Sequence, residues 1–411
     1  MTQTTYQPGE IKGLIEIEAS KCKGCDACLK FCPTHAIEGA SGAVHTIDQE
    51  KCLGCGQCLI NCPFSAIKET HSALETVINK LADKDTKVVG IIAPAVRVAI
   101  GEEFGLGKGE LVTGKLYGAM HQAGFKIFDC NFAADLTIME EGSEFIHRLH
   151  ANVKNEPNAG ALPQFTSCCP GWVRYLETDH PELLPHLSTA KSPQQIAGTV
   201  AKTYGAKVYD TKPDKLFTVA VMPCTSKKIE ASRPEFNSAW QYHQQQGQDV
   251  PSYQDVDAVL TTREMSQLLK HLEIDLANTQ PFDGDSLFSQ YSGAGTIFGT
   301  TGGVMEAAIR TAHKVITDEE IAQLDFTAVR GLEGVKEASV TLFDKALDQE
   351  VTIKVAVVHD MGHNIEPIIN DIIAGTSPYH FIEVMNCAGG CVNGAGQPID
   401  TSGSGWIGNL G

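Results

Sequence analysis

The chain has 411 residues and a formal net charge of −18, with 42% hydrophobic and 20% charged residues. That length allows two or three domains with substantial cores. The acidity excludes a nucleic-acid-binding role, which needs a basic surface, and suits either a basic redox partner steered in over distance or simple solubility. No apolar run approaches the roughly 20 residues of a membrane helix. The N-terminus MTQTTYQPGE lacks a basic patch followed by an apolar stretch, so no signal peptide is expected on this chain.

Eight of the 14 cysteines precede residue 63. Cys22-Lys-Gly-Cys25-Asp-Ala-Cys28-Leu-Lys-Phe-Cys32-Pro33 recurs 30 residues later as Cys52-Leu-Gly-Cys55-Gly-Gln-Cys58-Leu-Ile-Asn-Cys62-Pro63, and each copy is followed by Ala-Ile, at 36–37 and 66–67. Such regular spacing is that of metal ligands rather than of a disulfide framework. C-x2-C-x2-C-x3-C-P lets one loop wrap three corners of an iron–sulfur cube, and the fourth cysteine of each run serves the other cluster. The expected sets are therefore Cys22, Cys25, Cys28 and Cys62 for one [4Fe–4S] cluster, and Cys52, Cys55, Cys58 and Cys32 for the second. Zinc, usually held by two C-x2-C pairs, fits two interlocked runs poorly. The expected role is an electron relay.

After this module, read as residues 1–70, Leu74, Val77, Ile78 and Leu81 share one face of a linker helix within 71–86. From residue 87 to 411, short β-branched runs alternate with helical stretches. Strands are predicted at 87–93, 126–129, 216–222, 257–260 and 354–359, with helices over GKLYGAMHQAG and REMSQLLKHL between them. The fold class is α/β (α+β overall): a small ferredoxin-like module followed by a larger α/β domain with mostly parallel sheets. Functional groups then belong at the carboxyl ends of strands, where Cys224 and Cys387 fall. The polar stretch 231–256 reads as a surface insertion.

Six cysteines remain. Cys130 stands alone and reads as a small core residue. The other five occur in Thr166-Ser-Cys-Cys-Pro-Gly-Trp172, in Val221-Met-Pro-Cys-Thr-Ser-Lys-Lys-Ile-Glu230, and in Glu383-Val-Met-Asn-Cys-Ala-Gly-Gly-Cys-Val-Asn-Gly-Ala-Gly-Gln-Pro398. Four ligands and one spare thiol suit a buried cluster, and the glycines around Cys387 and Cys391 would let the backbone approach a bulky inorganic group.

These three motifs, behind the two-cluster module, resemble the signatures of the iron-only ([FeFe]) hydrogenases, and the resemblance covers nearly the whole chain. It implies an H-cluster: a [4Fe–4S] cubane joined through one cysteine to a two-iron unit with CO, cyanide and a bridging dithiolate amine. By motif, Cys169, Cys224, Cys387 and Cys391 would bind the cubane, with Cys391 shared with the two-iron unit. Cys168 would be the first proton carrier, and Lys227 would hydrogen-bond a cyanide. Met222 and Met385 would pack the site, Ala93-Pro94-Ala95 would lie beside the second cyanide, and Pro193, Gln194 and Phe298 would complete the wall. Relatives with serine at the position of Ala95 have a hydroxyl donor that this chain lacks. The proton path implied is Cys168, Glu141, Ser188, Glu144 and Arg148. Glu141, Glu144 and Arg148 fall on one helix face, which by itself is also the pattern of an ordinary solvated face.

The implied reaction is reversible oxidation of H2 to two protons and two electrons. It would proceed by heterolysis at the open iron with the bridging amine as base, and electrons would leave through the three cubanes. Two departures lie beside ligands: Asn386, where the family has a small apolar residue, and Ala395, where it has glycine. Both bear on potential or oxygen tolerance. The chain ends at Gly411, shortly after Pro398. Single-chain relatives continue with a helical segment that two-subunit enzymes place on a small chain. A small-subunit partner is therefore expected. A periplasmic location follows if that subunit carries the export signal, and a cytoplasmic one otherwise. A cytochrome c or a ferredoxin would be the redox carrier, and maturation proteins would install the two-iron unit. Two alternatives from the same family are an iron–sulfur assembly scaffold and a hydrogen sensor. Scaffolds lose the spare thiol and cyanide-binding positions, whereas Cys168, Met222 and Lys227 are present. Sensors alter the relay cysteine and add a signalling domain, and none is apparent. No flavin or nicotinamide motif occurs, so NAD reduction would need another subunit.

Overall fold

Apolar β-branched runs such as Val88–Ile92 and Val219–Met222 can be buried on both faces only in a sheet covered by helices. The computed structural model describes residues 11–285, 288–299, 301–321 and 334–399. The N-terminal decapeptide and the residues after 399, on which expectations about a leader and a missing C-terminal segment were placed, lie outside the described residues. The fold separates into two compact units: residues 1–133, 193–290 and 392–411 form the first, and 134–192 with 291–391 the second.

In the first unit, strand Ile15–Ile17 pairs antiparallel with Ile67–Glu69, and Ile37–Glu38 with Thr46–Ile47. One-turn helices Ala27–Lys30 and Gln57–Ile60 follow each cysteine loop. The repeat seen in the sequence is a repeat of backbone geometry. Gly24 and Gly54 share φ near 62°, Asp26 and Gly56 are both left-handed, and so are His35 and Ser65. Helix Leu74–Ala82 then buries Val77 completely and packs Leu74, Ile78 and Leu81 on the same core. The main sheet is wholly parallel, in the order Lys126–Asp129, Lys87–Ile92, Leu216–Met222, Ala258–Thr261. Gly90 admits helix Thr113–Gln122 close to the sheet, since a Cβ there would lie 2.4 Å from Met120 Cε. Helix Thr262–His271 starts with a reciprocal capping box between Thr261 and Glu264. The carboxyl ends of these strands carry Ala93-Pro94-Ala95, Cys130 and Pro223-Cys224. Cys130 is buried in the core, and burial pushes its thiol up to about 12.

The polar stretch 231–256 is less peripheral than its composition indicates. It forms helix Ser238–Gln245, whose His243 is buried with its imidazole against the Lys202 carbonyl at 3.0 Å. Buried Asp255 accepts from the Ser238 and Ala239 amides.

The second unit is built on a mixed sheet in the order Val335–Asp344, Gln349–Val358, Phe381–Val384, Gln164–Phe165, of which the first pair is antiparallel and the others parallel. The predicted strand 354–359 is thus the end of a ten-residue strand in a long hairpin. Helices Cys130–Val153 and Gly303–Thr317 contribute Phe145, Leu149, Met305 and Ile309 to the core over this sheet, where Phe145 stacks on Phe381. Adjacent parallel strands Gln164–Phe165 and Phe381–Val384 end in Thr166-Ser167-Cys168-Cys169 and Met385-Asn386-Cys387, so both cysteine loops leave the same sheet edge. Among the described residues no helix is long and apolar enough to cross a membrane.

Candidate active site and electron relay

None of the fourteen cysteines is in a disulfide. Cys22, Cys25 and Cys28 line one small cavity together with Cys62 from the second run, beside His45 and exposed Phe64. Cys58 is buried with Cys55, Cys52 and Cys32 around it; burial pushes its thiol well up, and the neighbouring sulfurs push the same way. In each group a cysteine of one run lies near three of the other. The Ala36 amide donates to Cys32 Sγ at 3.2 Å, and the Ala66 amide to Cys62 Sγ at 3.3 Å. The Ala-Ile pair after each run therefore supplies an N–H to the crossing cysteine, which stabilises a thiolate. Among the described residues no three His, Cys, Asp or Glu side chains approach closely enough to share one ion.

The second cysteine loop is seated on the residues that follow Cys224. Thr225 Oγ1 donates to the Gly54 carbonyl at 2.6 Å and Ser226 Oγ to the Leu53 carbonyl at 3.0 Å. Gly56 lacks a Cβ where one would lie 2.6 Å from the Ala395 methyl. Ala395 therefore fills space that the backbone of the second cysteine loop leaves open. Lys228 is buried and bridges Glu69 at 2.8 Å and Glu264 at 2.9 Å; Arg263 joins Glu69 at 2.6 Å and donates to the carbonyls of Ala395 and Gln397.

Around Cys224, Gly396 is needed for close approach, since a Cβ there would lie 2.8 Å from the Pro223 carbonyl carbon and 3.0 Å from the Cys224 amide nitrogen. Gln397 accepts from Thr262 Oγ1 at 2.6 Å and donates from Nε2 to the Ala95 carbonyl at 2.9 Å, fixing the Ala93–Ala95 turn. Gln194 donates to the Lys227 carbonyl at 3.2 Å, and Lys227 Nζ pairs with Glu230 at 2.5 Å. Met222, Pro193 and Gln194 are buried.

In the second unit, Cys168 is buried among Ala134, Ile138, Val304, Phe298 and Met385, with Cys169 packed beside them. Glycines 389 and 390 both have positive φ, and a Cβ on Gly390 would lie 2.6 Å from Thr301 Oγ1. The turn from Cys387 to Cys391 depends on them. Of the expected relay residues, Glu141, Ser188, Glu144 and Arg148 lie together. Glu141 Oε1 accepts from the Ser167 amide at 3.2 Å, beside Cys168. Ser188 lies near enough to Glu141 to bear on its carboxyl; Ser188 Oγ donates to Glu144 at 2.8 Å, and Glu144 pairs with Arg148 at 2.6 Å. Burial pushes the Glu141 carboxyl up to about 8, against partial relief from the Ser167 amide and Ser188. Arg148 is held by the carbonyls of Ala161, Pro185 and Leu187.

Two residues without a role in the sequence reading also shape the site. Glu383 is fully buried and accepts from the Gly302 amide at 3.0 Å and the Met305 amide at 2.7 Å. It thus caps the helix that carries Val304 to the Cys168 pocket, and burial raises its carboxyl to about 7. His45 lies 4.0 Å from Cys22 Sγ and 2.9 Å from Asp26. A glutamate inside an apolar strand was the available signal for Glu383; His45 had none.

Comparison with known proteins agrees with this arrangement. Residues 86–395 match the model of the iron only hydrogenase large subunit, C-terminal domain, and residues 15–69 that of a 4Fe-4S dicluster domain. The chain is 47% identical over 387 residues to the periplasmic [Fe] hydrogenase large subunit of Nitratidesulfovibrio vulgaris, covering 94% of this chain and 86% of that protein. It is 45% identical to iron hydrogenase 1 of Clostridium pasteurianum, covering 79% of this chain and 52% of that longer protein. A solved structure of the [FeFe]-hydrogenase of Chlamydomonas reinhardtii superposes with a TM-score of 0.68 at 36% identity, covering 81% of this chain and 86% of the other. Cytosolic iron–sulfur assembly proteins are more distant, as at 33% identity for the component 3 protein of Bos taurus. The chain belongs to the iron-only hydrogenase large-subunit family. It is an [FeFe] hydrogenase that interconverts H2 with protons and electrons, with two [4Fe–4S] clusters and an H-cluster as cofactors.

The residues present fit the H-cluster. Cysteines not in disulfides stand at strand ends, Gly396 and Gly390 clear the backbone around the third signature, and the buried Asn386 amide has no protein partner among the described residues.

Proposed function

We propose that Cys169, Cys224, Cys387 and Cys391 hold the H-cluster cubane, with Cys391 shared with the two-iron unit, and that the two N-terminal sets pass its electrons outward. The H-cluster supplies the chemistry that splits or forms H2. The protein's part is to hold, shield and connect it. Cys168 receives a proton and passes it toward Glu141, Ser188, Glu144 and Arg148. The observation that carries this path is the row of neighbours: Glu141 accepts from the Ser167 amide and lies beside Ser188, whose Oγ donates to Glu144, itself paired with Arg148. With its carboxyl near 8, Glu141 holds a proton at neutral pH and can still release it, as a relay group should. Lys227, whose Nζ pairs with Glu230, would hydrogen-bond a cyanide of the cluster, and Ala93, Pro94, Ala95, Pro193, Gln194, Met222, Phe298 and Met385 are proposed as cofactor-contacting residues.

Electrons leave by the cluster of Cys22, Cys25, Cys28 and Cys62, where Cys25 is exposed, to a cytochrome c or ferredoxin. A small subunit and a periplasmic location are proposed from the relative whose name carries both "large subunit" and "periplasmic". The proposal predicts that the chain co-purifies from the periplasmic fraction with one small protein and reduces an added carrier under H2. Recovery of the active chain alone from the cytoplasm would refute the partner and the location.

A further inference from the structure

Asn386 is 5% exposed, and neither Nδ2 nor Oδ1 has a hydrogen-bond partner among the described residues. Leaving a buried amide unpaired is costly, so folded proteins give such groups partners. The side chain lies against Gly171, where a Cβ would stand 3.3 Å from Asn386 Cβ and 3.8 Å from Nδ2. Asn386 therefore sits between the loop that carries Cys169 and its own neighbour Cys387, and Gly171 makes the room. A smaller apolar side chain would fit there without needing a partner.

We propose that the Asn386 amide donates a hydrogen bond to a sulfur of the H-cluster cubane and thereby raises its reduction potential. The inference rests on the assignment of Cys169 and Cys387 as ligands. Its sign follows from electrostatics. Reduction adds negative charge to the sulfurs, so an N–H aimed at them stabilises the reduced state more than the oxidised one. A cubane that holds its electron more firmly accepts electrons from H2 more readily, so the amide biases the site toward H2 oxidation. Asn386 is in this sense a positioning residue for charge, not a proton carrier.

The test is infrared-monitored potentiometry of the matured, full-length enzyme, comparing the natural protein with Asn386→Leu and Asn386→Ala. Leucine keeps the volume and removes the donors; alanine controls for a water entering the space. Electron density reaching the two-iron unit through the shared thiolate lowers the CO and cyanide stretching frequencies, so these bands report cubane reduction separately from the other two clusters. At a fixed potential the ratio of reduced to oxidised cubane should fall roughly tenfold in Asn386→Leu, equivalent to about 59 mV for one electron. A ratio that stays the same or rises overturns the inference. If neither variant assembles, hyperfine spectroscopy of the natural enzyme with 15N-asparagine decides. A coupling between that nitrogen, or its exchangeable proton, and the reduced cubane is expected, and its absence overturns the inference. Absence of CO and cyanide bands from the natural, matured enzyme would instead overturn the assignment of the site itself.

Discussion

Replacing Glu141 with glutamine keeps the shape of the side chain and an oxygen for the Ser167 amide, but removes the group able to carry a proton toward Ser188. The carboxyl rises from an ordinary 4.5 to about 8 through burial. At about pH 7 only about a tenth of it is ionised, where an unperturbed glutamate would be almost wholly so. The same rise, at about 1.36 kcal/mol per unit, amounts to at most roughly 5 kcal/mol. Because the folded value lies above the unfolded one, this contribution to stability is complete below about pH 4.5 and lost as the pH climbs through about 8. Glu141→Gln has nothing to ionise, so it should gain on the natural protein across that window. Loss of an acid–base group typically costs about 10²–10⁴ in rate, so H2 uptake should fall by that factor while the CO and cyanide bands persist. Uptake by matured enzyme and denaturant unfolding, both from about pH 5 to 9, read the two effects. Turnover within about threefold of the natural enzyme, with bands intact, would refute the relay.

Ser188→Ala breaks the link between Glu141 and Glu144 but leaves Glu144 its contacts with Arg148 and the Thr189 amide; uptake should fall by about tenfold, less than in Glu141→Gln, because a water can replace one hydroxyl. Gly396→Ala drives a methyl into the Pro223-Cys224 backbone, and iron analysis should show loss of the H-cluster cubane with both N-terminal clusters retained. Lys228→Met leaves Glu264 without its cation and Glu69 with Arg263 alone, and the unfolding free energy from denaturant titration should fall by about 3–5 kcal/mol, the cost of breaking a buried ion pair from one side. Cys62→Ser should remove the electron paramagnetic signal of one N-terminal cluster and leave the H-cluster infrared bands unchanged.

The parallel sheet of the first unit was legible because its strands are continuous apolar runs, buried on both faces, with no other plausible environment. The two cysteine runs were legible because each ligand set is short-range apart from one crossing residue. The hairpin Val335–Asp344 and Gln349–Val358 was obscure in its first strand. There one face is wet, and Lys336, Glu337, Ser339 and Thr341 break up the apolar signal. Glu383 was obscure for another reason: its partners, Gly302 and Met305, lie some eighty residues away in sequence. The segment 231–256 misled through composition, because its buried polar groups His243 and Asp255 are satisfied by backbone atoms rather than by apolar contact. The orphaned amide of Asn386 was visible in sequence only as an unusual residue; its burial, its lack of a partner and its seat against Gly171 appear only in the structure.

Infrared spectroscopy of the anaerobically matured protein, with H2 uptake assayed on the same sample, shows whether this chain turns over hydrogen at an H-cluster. CO and cyanide bands should appear together with uptake; a sample fully loaded with iron after maturation but showing neither would rule out hydrogen turnover at an H-cluster in this chain.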